Sequence, residues 1–489
     1  MNNDKRSLIT NATKWSAITS IMRKLVTPIT SMVLARLLTP SVFGIIASLN
    51  IVISFAQIFS DAGFQKYLVQ HEFKSPDELK EASDVAFTTN LIFSLLLWLV
   101  IFLFRDPLSD YVGSSGYGVQ MCVAALVIPI TSFSSIQQSL FKRDFDFKAL
   151  FVPQLVNSLI PLIITVPLAI LLRNTWSLII GTIAANISDA IFYTVKCKWK
   201  PRIYLKNEVF KRMFGFSAWT MLETVSIWLT VNVDIFILGK SLDSTYLGMY
   251  KTGITTVNQI TAVVTTTILP VLFSSLSRCQ DDRQQFEKTL FAFQKYAAII
   301  LFPLSIGMLI YSDLVTKILL GKQWMDISTF IGLLGLTQAG SVIFSNYASE
   351  VYRSYGEPKI SLFAQILYIL FTIPPILWGV KQDFSVLCNV RVGLMVVFMV
   401  LHLVILKVRY KFSILKMFHS LLQPLIAAII MGIIAYFLHD LIKSLVGQVI
   451  SVIVCMIAYF SSLFIFPQTR EIAIRYISII KSRVRREKE

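Results

Sequence analysis

The chain has 489 residues, 55% of them hydrophobic and 15% charged, with a mean hydropathy of +0.68 and a net charge of +17. Soluble domains carry about 25% charged residues, so a soluble enzyme is excluded as the bulk of the molecule. Its five cysteines are scattered, with no CxxC pair and no histidine cluster beside them, which gives neither a disulfide framework nor a structural metal site.

Fourteen apolar stretches follow one another at about 12–35, 42–65, 84–104, 118–139, 149–172, 175–195, 213–238, 246–275, 289–311, 327–349, 360–380, 384–406, 417–438 and 445–466. Each approaches the roughly 20 residues that carry a helix across about 30 Å of hydrocarbon. Their unbroken apolarity excludes the alternating strands of a membrane barrel. The opening segment MNNDKRSLIT leads into no cleavable apolar core, so the first stretch is expected to be a retained span with no signal peptide. Almost nothing lies between the spans, which leaves no room for a catalytic domain outside the membrane. No GxxxxGK[ST] phosphate loop is present.

With the N-terminus placed in the cytoplasm, the even-numbered loops and both tails hold 32 of the Lys and Arg residues and the opposite side ten. That bias predicts cytoplasmic termini. The positive charge is thereby assigned to topology and to anionic membrane lipids rather than to nucleic acid. The basic segment from Lys196 to Arg212 reads as a cytoplasmic linker, and the basic tail beyond residue 468 suits a helix in the headgroup layer.

Val33–Ile46 (VLARLLTPSVFGII) aligns without gaps to Ile237–Tyr250 (ILGKSLDSTYLGMY) at an offset of 204, with Leu34/Leu238, Leu38/Leu242 and Gly44/Gly248 identical. Trp15 and Trp219 share the offset. Two six-span units entering the membrane from the same side predict parallel repeats about an axis along the membrane normal. The expected organisation is an N-lobe over 1–200, a C-lobe over 201–411, two appended helices over 412–467 and a basic tail over 468–489. The expected fold class is an all-α polytopic membrane protein.

The stretches LARLLTPSVFGIIA, FSDAGFQKYLVQ (Phe59–Gln70), SLFKRDFDFKAL (Ser139–Leu150) and LPVLFSSLSRCQDD (Leu269–Asp282), in this order, resemble the Wzx-type polysaccharide flippases of the multidrug/oligosaccharidyl-lipid/polysaccharide exporter superfamily, in their colanic-acid and teichuronic-acid exporter form. The resemblance implies two pseudo-symmetric six-helix lobes around a central cavity. It also implies a transporter, not an enzyme, that moves an undecaprenyl-pyrophosphate-linked oligosaccharide across a bacterial inner membrane.

Charges inside spans are costly and are the first functional candidates. Lys24 lies 12 residues before Arg36, so it and Arg23 fall about 18 Å along the first helix at 1.5 Å per residue. No acid of the same span stands three or four residues away. Two such cations suit a pyrophosphate, the guanidinium as a fork and the ammonium as a point charge; pairing with acids of another span is the competing reading. Lys251, Lys295 and Arg391 are further cationic candidates. Glu223, one turn from Arg23 when shifted by 204, Asp234 and Asp61 are candidates for coupling or gating. Trp219, Trp228 and Tyr250 can stack on sugar rings or pack between helices. The expected mechanism is alternating access with no cofactor, driven by membrane potential or by H+ or Na+ exchange. Expected partners are the lipid-linked oligosaccharide and the polysaccharide polymerase or export machinery, for a monomeric transporter. Rival readings are a multidrug exporter of the same superfamily and a membrane glycosyltransferase or polymerase, for which Asp144-Phe145-Asp146 imitates the DxD metal motif.

Overall fold

The computed structural model describes residues 22–24, 26–61, 63–442 and 444–465, without the side chains of Asp61, Phe216, Trp219, Thr220, Glu223, Val263 and Pro358. Every regular element among the described residues is helical. The chain divides into two compact units, Met1–Thr252 and Gly253–Glu489. The sequence boundary at 200/201 falls inside the first unit, because the helix after the linker packs on helices of the N-terminal segment.

The first unit contains α1 (residues 22–37, position 25 undescribed), α2 (Pro40–Asp61), α3 (Phe64–Gln70), α4 (Pro76–Leu103), α5 (Arg105–Tyr111), α6 (Gly118–Ala124), α7 (Val127–Arg143), α8 (Phe147–Ile160), α9 (Val166–Leu172), α10 (Thr175–Lys196), α11 (Asn207–Ser241) and the start of α12 (Ser244–Ser277). Local chemistry sets the ends. Ser75 caps α4 by accepting from the Glu78 N–H, Pro76 fills the first turn, and Glu78 reaches back to the Lys74 N–H at 2.7 Å. The second apolar stretch was expected to run to 65. The helix instead ends at Asp61, because Gly63 adopts φ 74° and starts α3. Arg143 then donates to the Leu68 and His71 carbonyls, at 2.8 and 2.6 Å, closing the C-terminus of α3. Two of the resembling motifs thus touch through one guanidinium.

The linker after α10 is strapped along one face of α4. Trp199 Nε1 donates to Asp84 at 2.7 Å, the Tyr204 N–H to Thr88 at 2.9 Å, and Lys206 and Arg212 pair with Glu81 and Glu78. These α4 residues recur every three or four positions, which puts them on one side of the helix.

The second unit contains the rest of α12, then α13 (Arg283–Ile310), α14 (Ser312–Leu319), α15 (Ser328–Gly340), α16 (Tyr347–Ser354), α17 (Pro358–Gly379), α18 (Phe384–Val408), α19 (Ile414–Leu441) and α20 (Leu445–Ile465). π-Turns at Pro161–Thr165 and Ser341–Asn346 join α8 to α9 and α15 to α16, so each pair makes one membrane-length span.

Eleven helices or joined helices among the described residues are long and apolar enough to cross a membrane, and α12, bent by 54°, makes a twelfth when taken as one span. The expected fourteen is not reached among them. The first stretch, 12–35, lies largely outside the described residues, as does the tail over 468–489. The seventh stretch is part of the 35-residue α11, about 52 Å long at 1.5 Å per residue. Asp146 of the DxD-like triplet caps α8 by accepting from the Ala149 N–H at 3.0 Å. No group of three acidic, His or Cys side chains suited to a metal occurs among the described residues.

Candidate functional site

Arg23 is exposed on α1 and Lys24 beside it is half-buried. Among the described residues no carboxylate stands within 4 Å of either. Arg23 is nevertheless close enough to Asp189 of α10 for its charge to act on that carboxylate and on the Tyr193 hydroxyl. Asp189 accepts from the Asn157 amide of α8 at 2.9 Å, while its other oxygen is buried with no donor among the described residues. The side chains of Glu223 and Asp61 lie outside the described residues.

Asp234 is buried on α11 and accepts from the Tyr250 hydroxyl of α12 at 3.0 Å. Tyr250 is therefore a core residue and not a sugar platform. Next to this pair the aligned segments meet. A Cβ on Gly44 would lie 1.7 Å from the Ser244 carbonyl oxygen, and one on Gly248 would lie 1.9 Å from that of Pro40. Positions 40 and 44 thus touch their counterparts shifted by 204 reciprocally, and Ser41 Oγ lies 3.2 Å from Ser244 Oγ. Only glycine permits so close an approach of two backbones.

Trp228 of α11 donates through Nε1 to Ser54 Oγ of α2 at 3.0 Å and packs against Phe55 at a centroid distance of 5.0 Å. Deeper in the unit, Asn90 Oδ1 accepts from Ser60, Ser94 and Ser132, and its amide donates to Ser135 at 2.9 Å. This buried knot ties α2, α4 and α7 together. The survey of charges missed it because all its members are neutral; counting amides within apolar spans would have found Asn90 and Asn157.

In the second unit Lys295 and Arg391 are half-buried. Arg391 donates to the Tyr368 hydroxyl of α17. Lys251, half-buried, closes the first unit on α12. The second unit also holds a cavity of 590 Å³ between α12, α13, α14, α19 and α20, lined by Ile299, Pro303, Met308, Met431, Val452 and Met456 among others. Its lining is almost wholly apolar, a surface for a hydrocarbon ligand.

A family model described as polysaccharide biosynthesis protein matches residues 33–329, more than half of the chain. The chain belongs to this family. It is 25% identical over 313 residues to the succinoglycan biosynthesis transport protein ExoT of Rhizobium meliloti (strain 1021), an alignment covering 63% of this chain and 62% of that protein. It is 19% identical over 441 residues to the teichuronic acid biosynthesis protein TuaB of Bacillus subtilis (strain 168), covering 88% of each. Among solved structures it is similar to the lipid II flippase MurJ in its inward closed conformation, with a TM-score of 0.73 at 15% identity over 92% of this chain and 98% of that one. At this identity the likeness shows the fold alone, a multi-pass bundle of membrane-length helices. The family and fold agree with the resemblance read from the four short motifs.

Proposed function

We propose that the protein is a flippase that carries a polyprenyl-pyrophosphate-linked oligosaccharide, a polysaccharide repeat unit, from the cytoplasmic to the outer leaflet of a bacterial inner membrane by alternating access. The observation that carries this reading is the Arg23–Lys24 pair, two cations within an apolar helix that no carboxylate of the described residues neutralises at ion-pair distance. A cation so placed needs an anion, and a pyrophosphate supplies one. By itself, the apolar cavity of the second unit suits a hydrocarbon chain. Family membership and the polysaccharide transport named for ExoT support the glycan.

Both termini are placed in the cytoplasm by the basic-residue bias. An anionic headgroup moving outward descends the membrane potential, at about 2.3 kcal/mol per charge per 100 mV, so transport needs no nucleotide; H+ or Na+ exchange is a further source of drive. The transporter acts as a monomer beside the polymerase that consumes its product.

The test is the sidedness of lipid-linked glycan in cells with and without the protein. Accumulation on the cytoplasmic face of deficient cells is expected, and unchanged sidedness overturns the reading. Arg23→Ala and Lys24→Ala proteins that reach the membrane and export normally would remove these residues from the site.

A further inference from the structure

The α2 helix is turned inside out for a membrane span. Ile45, Leu49, Ile53 and Ala56 are buried in the unit's own core. Between Pro40 and Ser60 the exposed residues are Asn50 and Phe55. Asn50, Ser54 and Gln57 are spaced four and three apart, which places them within an arc of about 60° on a helix of 3.6 residues per turn. A helix facing lipid shows the opposite, as α9 does with Ile170, Leu171 and Leu172 exposed.

Neither the Asn50 nor the Gln57 amide makes a hydrogen bond to the protein among the described residues. An amide left unbonded in hydrocarbon costs about 2–7 kcal/mol, so this strip faces water or a polar ligand. Ser54, between the two amides, accepts from Trp228 Nε1 and so fixes the indole at the border of the strip, with Phe55 behind it. The tether leaves the half-buried Trp228 in a set orientation.

The strip also has a definite level. Gln57 lies 17 residues after Pro40 and Arg23 lies 17 before it, so both stand about 25 Å along their helices from the turn at 38–39. From that level the strip climbs about 10 Å toward the turn, to Asn50. A headgroup held at Arg23 would stand at the level of Gln57, with Ser54 and Asn50 the next polar groups toward the turn.

We propose that the Asn50–Ser54–Gln57 strip, bordered by the Trp228 indole, is a glycan-binding site that receives the first sugars attached to the pyrophosphate. Primary amides offer a donor and an acceptor side by side, which matches neighbouring hydroxyls of a pyranose. An aromatic face offers an apolar surface to the C–H groups of the ring, and the indole keeps its polar edge satisfied on Ser54. The strip carries no charge, so it selects for sugar rather than for a second anion. The inference rests on the flippase reading and adds to it the residues that read the glycan.

The test uses the full-length protein in nanodiscs and two probes, a polyprenyl pyrophosphate with no sugar and the same lipid bearing a disaccharide. Wild-type protein is expected to bind the sugar-bearing probe about tenfold more tightly, the scale of one well-made hydrogen bond to a desolvated group. Asn50→Ala/Gln57→Ala and Trp228→Ala should lose that preference and keep the affinity for the bare probe, whereas Arg23→Ala/Lys24→Ala should weaken both probes alike. Trp228→Phe keeps an aromatic face and should retain most of the preference, which separates recognition from folding. A wild type that binds both probes equally overturns the glycan site and leaves the flippase reading standing. Strip variants that keep the full preference also overturn it. A wild type that binds neither probe overturns both.

Discussion

The charge of Arg23 acts on the Asp189 carboxylate, so in the proposed reading the two bear on one anion. The carboxylate competes with any bound anion for the guanidinium, so removing it should favour the anion. Asp189→Asn is expected to bind a bare polyprenyl pyrophosphate more tightly than wild type and to release it more slowly, measured by equilibrium and washout binding in nanodiscs; unchanged affinity would show that the two charges do not communicate. A second residue-level expectation lies outside the spans. Glu357 accepts from Arg409 and from the Tyr410 hydroxyl at 2.6 Å, which holds its carboxyl below the usual glutamate range. A carboxyl lowered on folding stabilises above its unfolded value of about 4.3 and loses that contribution as pH falls through the lower folded value. Thermal unfolding in detergent should therefore show a steeper fall in Tm below pH 4.3 for wild type than for Glu357→Gln, by a small margin because the pair is exposed. At this scale sequence reasoning singled out Arg23 and Lys24 as candidates, because a charge in an apolar run is conspicuous. It did not link Asp189 to Arg23 and could not separate Trp228 from Tyr250, because partners depend on distances between spans that no spacing within one span encodes.

Helices were legible from apolar length, and what joins or ends them was not. Pro161 and the run from Ser341 sit inside single apolar stretches, where only the backbone shows a π-turn. The offset of 204 took on meaning as a contact, since Gly44 and Gly248 bring α2 and α12 together with no room for a side chain. Gly44→Ala and Gly248→Ala should each lower stability by about 1–3 kcal/mol, the cost of overpacking, read as a fall in Tm of the purified protein. Gly215→Ala, with nothing within 4 Å of the added carbon, is the control and should leave Tm unchanged or slightly raised. Likewise Asn90→Ala should cost about 1–3 kcal/mol, because it strips three buried serines of a common acceptor. A loss near the lower end is expected, since such bonds between membrane helices average about 0.6 kcal/mol.

For the whole molecule, composition required the membrane and the basic residues predict a direction of insertion. Reporter fusions after Lys206 and after Lys411 should both read as cytoplasmic, and fusions after Arg173 and Lys381 as external; the reverse pattern would overturn the orientation. The boundary between compact units at 252/253 was not visible in hydropathy. The segment over 197–206 reads in sequence only as part of a basic linker, yet it is tied to α4 by Asp84, Thr88 and Glu81. Asp84→Ala should free Trp199 and shift its emission to the red, with a larger effect than Lys206→Ala, whose ion pair is exposed.

What the sequence by itself determined is the class of the molecule. A chain this apolar must close its backbone hydrogen bonds within helices, and four short motifs in order agree with its membership of the polysaccharide biosynthesis protein family. What only the tertiary structure decided is which polar groups meet. The first is a one-dimensional property, since the cost of placing a residue in lipid is nearly additive along a span. The second depends on how helices are rotated and stacked. That rotation turns Tyr250 into core, puts Asp189 near Arg23, and leaves Asn50 and Gln57 facing outward from a helix whose apolar side is already buried.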